Sequence, residues 1–147
     1  MTSPDLRPAF DDERQKAMYN IALTYNVILG RTLAALKPFE LNDQHYNILK
    51  SLEHRHPEPV SVGDVMDMLV QKRGDITRLM DKLVAKGLVA RAAHLMDRRV
   101  VHVALTALGV AELGHMDTNL SQQRDILSNL TPNEAKDLNF LLDKLRS

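Results

Sequence analysis

The chain has 147 residues, 44% of them hydrophobic and 26% charged, which suits one soluble globular domain with its own core or with a core completed by a partner chain. It contains no cysteine, so disulfides, thiolate nucleophiles and thiol switches are excluded. Its formal net charge is zero, but the charge is segregated: residues 70–102 hold eight Lys/Arg against three acids, a net of +5, and the remainder is therefore −5.

No apolar run approaches the roughly 18 residues of a membrane span, and the N-terminal residues have no signal or transit composition, so the expectation is a cytoplasmic protein without a membrane partner. From about Asp11 to Lys37, Met18, Ile21, Ala22, Tyr25, Ile28, Leu29, Leu33 and Leu36 recur at helical spacing, and Pro38 is expected to end the helix. The apolar coverage is wider than a single stripe, so this helix needs more than one packing partner, one of which a second subunit would supply.

Asn42 is placed to cap a second helix, with Leu41 and Tyr46 as a hydrophobic staple and Ile48, Leu49 and Leu52 turned inward. The proline-bearing loop that follows carries His54-x-His56. Two histidines without a third ligand nearby are read as a solvated loop, and no metal or other cofactor is expected. Ser61 and Asp64 form a near capping box, with Val60 and Val65 as the staple of a short third helix whose apolar side is Val62, Val65, Met66 and Leu69.

Ile76, Leu79, Met80, Leu83 and Val84 repeat at i, i+3, i+4, i+7 and i+8, and Gly87 supplies the residue type that closes helices. At about 100° per residue, Arg78 lies opposite the stripe, flanked by Gly74, Asp81 and Lys82, with Asp75 and Thr77 at the edges. The period then becomes strand-like over 88–91 and 100–105, joined by a connection that ends in Asp97-Arg98-Arg99. A polar-faced helix followed by a basic hairpin is the recognition helix and wing of a winged helix-turn-helix, suited to place a helix in the major groove and an arginine in the minor groove.

Ile76-Thr-Arg-Leu, Asp81-Lys-Leu, Lys86-Gly-Leu-Val-x-Arg91, Asp97-Arg-Arg99 and Val103-x-Leu-Thr-x-x-Gly109 appear in one order and spacing that resembles the MarR family of bacterial transcription regulators, from about Asp11 onward. The turn before the helix departs from the family's usual pattern, with Lys72 and Arg73 where Ser or Thr is common. Thr106 is placed to cap a long helix with Leu113, Leu120 and Leu127 at heptad spacing. Thr131-Pro132-Asn133-Glu134 is a capping box that opens a last helix lined by Leu138, Leu141, Leu142 and Leu145.

The fold expected is mainly α with a small β-hairpin: one domain over 1–147, with a winged head at 41–105 and dimerisation helices at 11–37 and 106–146. The function expected is that of a homodimeric, sequence-specific double-stranded DNA-binding regulator. Its candidate DNA contacts are Ser61, Lys72, Arg73, Gly74, Asp75, Thr77, Arg78, Lys82, Asp97, Arg98 and Arg99, on a pseudo-palindromic operator. Asp97 is expected to anchor an arginine, Arg98 to enter the minor groove and Arg99 to hold the base or a phosphate.

The resemblance further implies a repressor released by a small aromatic or anionic effector in a crevice between dimerisation helices and head, for which Tyr25, His45, Tyr46 and Met66 are candidates; the same four equally suit ordinary core and surface positions. A second class of function is a winged-helix module that binds protein with its basic face solvated. An enzyme is not expected, because the chain has no phosphate-cradling Gly-rich loop, no His-Glu-x-x-His, no Gly-x-Ser-x-Gly and no clustered carboxylates.

Overall fold

A computed structural model describes residues 8–69, 75–93, 97 and 99–147. Its first helix, α1 (Glu13–Leu36), is capped by the Asp12 carboxylate, which accepts from the Gln15 N–H at 2.8 Å. Only Ala35 and Leu36 of α1 are buried. Pro38 does not stop the chain from turning: Lys37–Phe39 continue as a 3-10 turn in which the proline sits at the start, where its missing N–H is not needed. Glu40, at φ 56°, closes that turn.

Helix α2 (Asp43–Arg55) opens on a reciprocal cap, with Asn42 Oδ1 accepting from the His45 N–H (3.1 Å) and His45 Nδ1 accepting from the Asn42 N–H (3.2 Å). Val60 and Ser61 then form a short strand, β1, that the sequence did not announce. They also act as expected of a helix entry, since Ser61 Oγ accepts from the Asp64 N–H and caps α3 (Val62–Met68). Helix α4 is Ile76–Ala85, and the wing strands are β2 (Val89–Ala93) and β3 (Val101–Leu105).

The sheet is antiparallel in the order β1-β3-β2, with Val60 opposite Val103 and Arg91 also opposite Val103 from the other side. Alternation along β3 turns Val103 and Leu105 into the core. Helix α4 ends in a Schellman arrangement: Gly87 at φ 73° donates to Val84 O and Leu88 donates to Leu83 O. Thr106 then joins wing to helix. Its hydroxyl donates to Gly87 O (2.6 Å) and accepts from the Gly109 N–H (2.9 Å), capping α5 (Ala107–Gln123).

Two expectations about the C-terminal half need correction. The helix after the wing is not continuous to Leu127, because the chain tightens into a 3-10 segment at Arg124–Asn129. Leu113 and Leu120, read from heptad spacing as interface residues, are fully buried in the chain's own core with Met116, whereas Leu127 is exposed. A seven-residue spacing places side chains on one face without saying which neighbour covers it. Helix α6 (Pro132–Arg146) starts at the expected Thr131/Glu134 capping box. None of its residues is buried; Leu138, Phe140, Leu141 and Leu145 all face outward.

One core unites these pieces. Leu36, Ile48, Leu49, Leu52, Val65, Met80, Leu83, Val103, Leu113 and Leu120 belong to a single buried cluster, so α5 is part of the support of the winged head. On α3 the apolar side is Val62 and Val65, with Leu69 packing against the core just past the helix end; Met66, expected on that side, is exposed. Among the described residues no helix is long and apolar enough to cross a membrane.

Candidate nucleic-acid interface

Helix α4 buries Met80 and Leu83 and half-buries Ile76, Leu79 and Val84, which leaves Thr77, Arg78, Asp81 and Lys82 exposed on the outer face. Leu79 is thus a boundary residue and not the core residue that its spacing suggested. Asp75 is the N-cap. Its Oδ1 accepts from the Thr77 N–H (2.9 Å) and the Arg78 N–H (3.4 Å), which fills donors that would otherwise point at solvent from the helix end. The acid beside the basic face therefore holds the helix start in place.

Cations around α4 divide into paired and unpaired groups. Arg91 on β2 pairs with Asp81, tying the wing strand to α4, and Lys86 pairs with Glu40 at 3.2 Å. No carboxylate pairs with the side chain of Arg78 or Lys82 among the described residues. At the wing, Asp97 Oδ1 accepts from the Arg99 N–H (3.0 Å) and lies 3.6 Å from Arg99 Nε. The Arg99 side chain is nonetheless 95% exposed, so this carboxylate turns the chain at the base of the arginine without covering its guanidinium.

Two concavities flank α4. A groove of about 640 Å³ on the wing side is lined by Ser61, Val62, Gly63, Thr77, Met80, Arg91, Arg99, Val100 and Val101. It brings together three of the residues proposed from sequence, Ser61, Thr77 and Arg99, from three different elements. On the other side a cavity of about 400 Å³ is bordered by Asn42, His45, Asp75, Arg78, Leu79 and Lys82. Lys72, Arg73, Gly74 and Arg98, also proposed from sequence, lie outside the described residues.

Arg91 was not singled out from sequence, where it reads as the end of a short strand. The β2–β3 register and the pairing with Asp81 turn it into the groove, and no local signal announces a pair ten residues apart. His45 is 5% exposed, and its pKa is lowered from 6.5, first by burial, then by the charge of Lys82, with Lys86 adding to this and Asp43 opposing it. The other three effector candidates do not gather around it. Tyr46 is buried, with its hydroxyl donating to Asp117 Oδ1 at 2.6 Å, while Tyr25 and Met66 lie on exposed faces of α1 and α3. No group of three His, Asp or Glu among the described residues is placed to hold a metal ion.

This arrangement matches known proteins. A sequence profile of the MarR family matches residues 39–100. The multiple antibiotic resistance protein MarR of Escherichia coli (strain K12) is 30% identical over 112 residues, 75% of this chain and 76% of that protein. The chain belongs to the MarR family. A crystal structure of a MarR transcription factor from Planctomyces limnophilus, 33% identical, superposes with a TM-score of 0.72 over 92% of this chain and 98% of that one. A mutant MarR from Escherichia coli complexed with operator DNA, 26% identical, does so with a TM-score of 0.74 over 92% of this chain and 99% of that one. The mainly helical fold with a small antiparallel sheet is that of MarR winged-helix proteins, a family of transcription regulators and not of enzymes.

Proposed function

We propose that this MarR-family regulator is a homodimer that binds a pseudo-palindromic operator in double-stranded DNA, one α4 in each of two successive major grooves, and acts as a cytoplasmic repressor released by a small aromatic or anionic effector. The observation that carries the reading is the outer face of α4. Arg78 and Lys82 stand there without carboxylate partners among the described residues, on a helix whose start is fixed by Asp75, beside a groove that gathers Ser61, Thr77 and Arg99. Cations free of internal partners are the ones available to phosphates and base edges, and the operator complex of the Escherichia coli relative supports this use of the fold.

Dimerisation rests on the apolar surface left uncovered. Met18, Ile21, Leu23, Val27, Ile28 and Leu33 of α1, together with Leu138, Phe140, Leu141 and Leu145 of α6, are exposed in the single chain. Monomers rarely leave contiguous apolar surface of this extent in water, and pairing α1 and α6 with the same helices of a second copy covers it with two-fold symmetry. Residues 11–37 and 106–146 then serve as the dimerisation region for a head at 41–105, with α1 and α6 supplying the apolar faces and α5, whose Leu113, Met116 and Leu120 are buried in the chain's own core, joining them to the head. For the effector, the cavity of about 400 Å³ bordered by His45, Arg78 and Lys82 offers space beside two cations, but it lies within the head, between α2 and α4, and not in the crevice toward the dimerisation helices.

Selection of genomic DNA fragments by the purified protein, followed by gel shifts at several salt concentrations, tests the proposal. The expected result is a small set of sites bound at least about a thousandfold more tightly than random duplex. Equal affinity for random and selected DNA contradicts sequence-specific regulation and leaves the winged head as a module for binding protein.

A further inference from the structure

Beyond the Thr106 junction at its start, helix α5 is tied to its neighbours by directional polar contacts at three further places among the described residues. Asn119 Nδ2 donates to Ala35 O (3.3 Å), and Arg31 Nη1 donates to Gln123 O (3.2 Å), so the lower part of α5 is fixed to α1. Asp117 reaches the other way. Its Oδ1 accepts from the Tyr46 hydroxyl (2.6 Å) and its Oδ2 from Lys50 Nζ (3.0 Å), so both oxygens of one carboxylate are held by two residues four apart on one face of α2. Lys50 is itself oriented by Glu53 Oε2 at 2.5 Å.

The rest of the junction between α2 and α5 is apolar: Ile48, Leu49 and Leu52 share the core cluster with Leu113, Met116 and Leu120. Apolar burial is non-directional and tolerates small sliding and tilting of one helix on another. Two hydrogen bonds to an ionised acceptor, one from a buried phenol, do not. From this geometry we propose that Tyr46, Lys50 and Asp117 act as positioning residues, pinning the winged head to α5 at a set angle and so fixing the separation of the two α4 helices, and with it the operator half-site spacing the dimer accepts.

The proposal rests on the dimeric DNA-binding reading above. One base pair corresponds to about 3.4 Å along the duplex and about 35° of rotation around it, so a head free to shift and turn by those amounts at α4 fits a site one base pair longer or shorter. If the contacts merely satisfied a buried hydroxyl, their loss would lower stability and leave spacing preference unchanged.

The test uses the full chain as wild type, Tyr46→Phe and Lys50→Met, each of which keeps the bulk of its side chain. Affinities are measured for a two-fold operator and for versions with the centre lengthened or shortened by one base pair. Because the chain has no cysteine, Ala85→Cys in each background also gives a single site for a nitroxide, and pulsed dipolar spectroscopy then reads the distance between the two α4 helices without DNA. The expected result is a narrow distance distribution and about tenfold spacing discrimination in the wild type. In each variant the distribution broadens and the discrimination falls to about threefold or less, because a hydrogen bond to an ionised group is worth on the order of one decade. Variants that keep the wild-type distribution and discrimination, with a lower melting temperature alone, overturn the pin. A wild type without a dipolar signal, or without preference for any two-fold site, overturns the dimeric DNA-binding reading itself, and the pin with it.

Discussion

Replacement of Gly109 by alanine probes the close approach of the first turn of α5 to the wing. A Cβ at this position would lie 2.0 Å from Leu88 O, 3.0 Å from Leu88 C and 3.3 Å from a Leu105 methyl, where ordinary contact begins at 3.4 Å. The obstacle is backbone, so no rotamer change relieves it; Leu88 or the first turn of α5 must move by more than ~1 Å. Either movement strains the bond from the Thr106 N–H to Leu88 O (3.1 Å) and the Thr106 cap of α5. Overpacking of about 1–3 kcal/mol plus roughly 1 kcal/mol for the hydrogen bond gives an expected loss of about 2–4 kcal/mol in urea unfolding, measured at equal chain concentration because a dimer's stability depends on it. Gly114→Ala is the control. It has nothing within 4 Å of a built Cβ and lies inside α5, so it should gain about 0.5–1 kcal/mol. A Gly109→Ala chain within about 0.5 kcal/mol of wild type would refute the close approach.

Three further outcomes follow from the site. Asp75→Asn keeps an N-cap acceptor but removes a charge beside the DNA face, so affinity should rise about twofold, since a unit charge at roughly 8 Å in water is worth ~0.5 kcal/mol; Asp75→Ala should lose about 0.5–2 kcal/mol of stability, and equal stability of the two variants in urea would contradict the cap. His45 has a lowered pKa in the folded chain, so the unfolded chain protonates first as pH falls: its contribution to stability is complete above pH 6.5 and is lost as pH falls from there through the folded value. His45→Gln, whose amide oxygen can accept the same cap bond, should show a flatter pH dependence of the urea midpoint, and an unchanged slope would contradict the assignment. Asp97→Asn should weaken operator binding by less than ~1 kcal/mol despite removing a negative charge, because an exposed pair contributes no more than that to orienting Arg99; tighter binding at every salt concentration in a gel shift would show that Asp97 acts only by repulsion.

The parts legible in the sequence are those decided by neighbours along the chain. Asn42, Ser61, Thr106 and Thr131 announce helix starts because a cap needs only its own side chain and the N–H groups two or three residues on. Gly87 announces a stop for a similar reason, and the outward position of Arg78 follows from counting around one helix. What remained hidden depends on distant partners. Two-residue β1 exists because Val60 meets Val103, and nothing within Val60-Ser61 distinguishes that strand from a helix entry. Leu113 and Leu120 share a face, but the α1 and α2 residues that bury them lie more than sixty positions away. Met66 fits the apolar spacing of α3 yet is exposed, since a seven-residue helix has too few turns for its spacing to fix the buried side. The two concavities beside α4, and the place of Arg91 and His45 in them, likewise arise from packing of separate elements.

Hydroxyl-radical footprinting on a selected genomic fragment, with wild type and Arg78→Ala side by side, tests most directly whether two α4 helices of a dimer read DNA. The account predicts protected segments related by a dyad, with half-site centres about one helical turn apart, and a loss of roughly 1–3 kcal/mol in affinity for Arg78→Ala. A footprint without two-fold symmetry, or one that Arg78→Ala leaves unchanged at the same protein concentration, would contradict it.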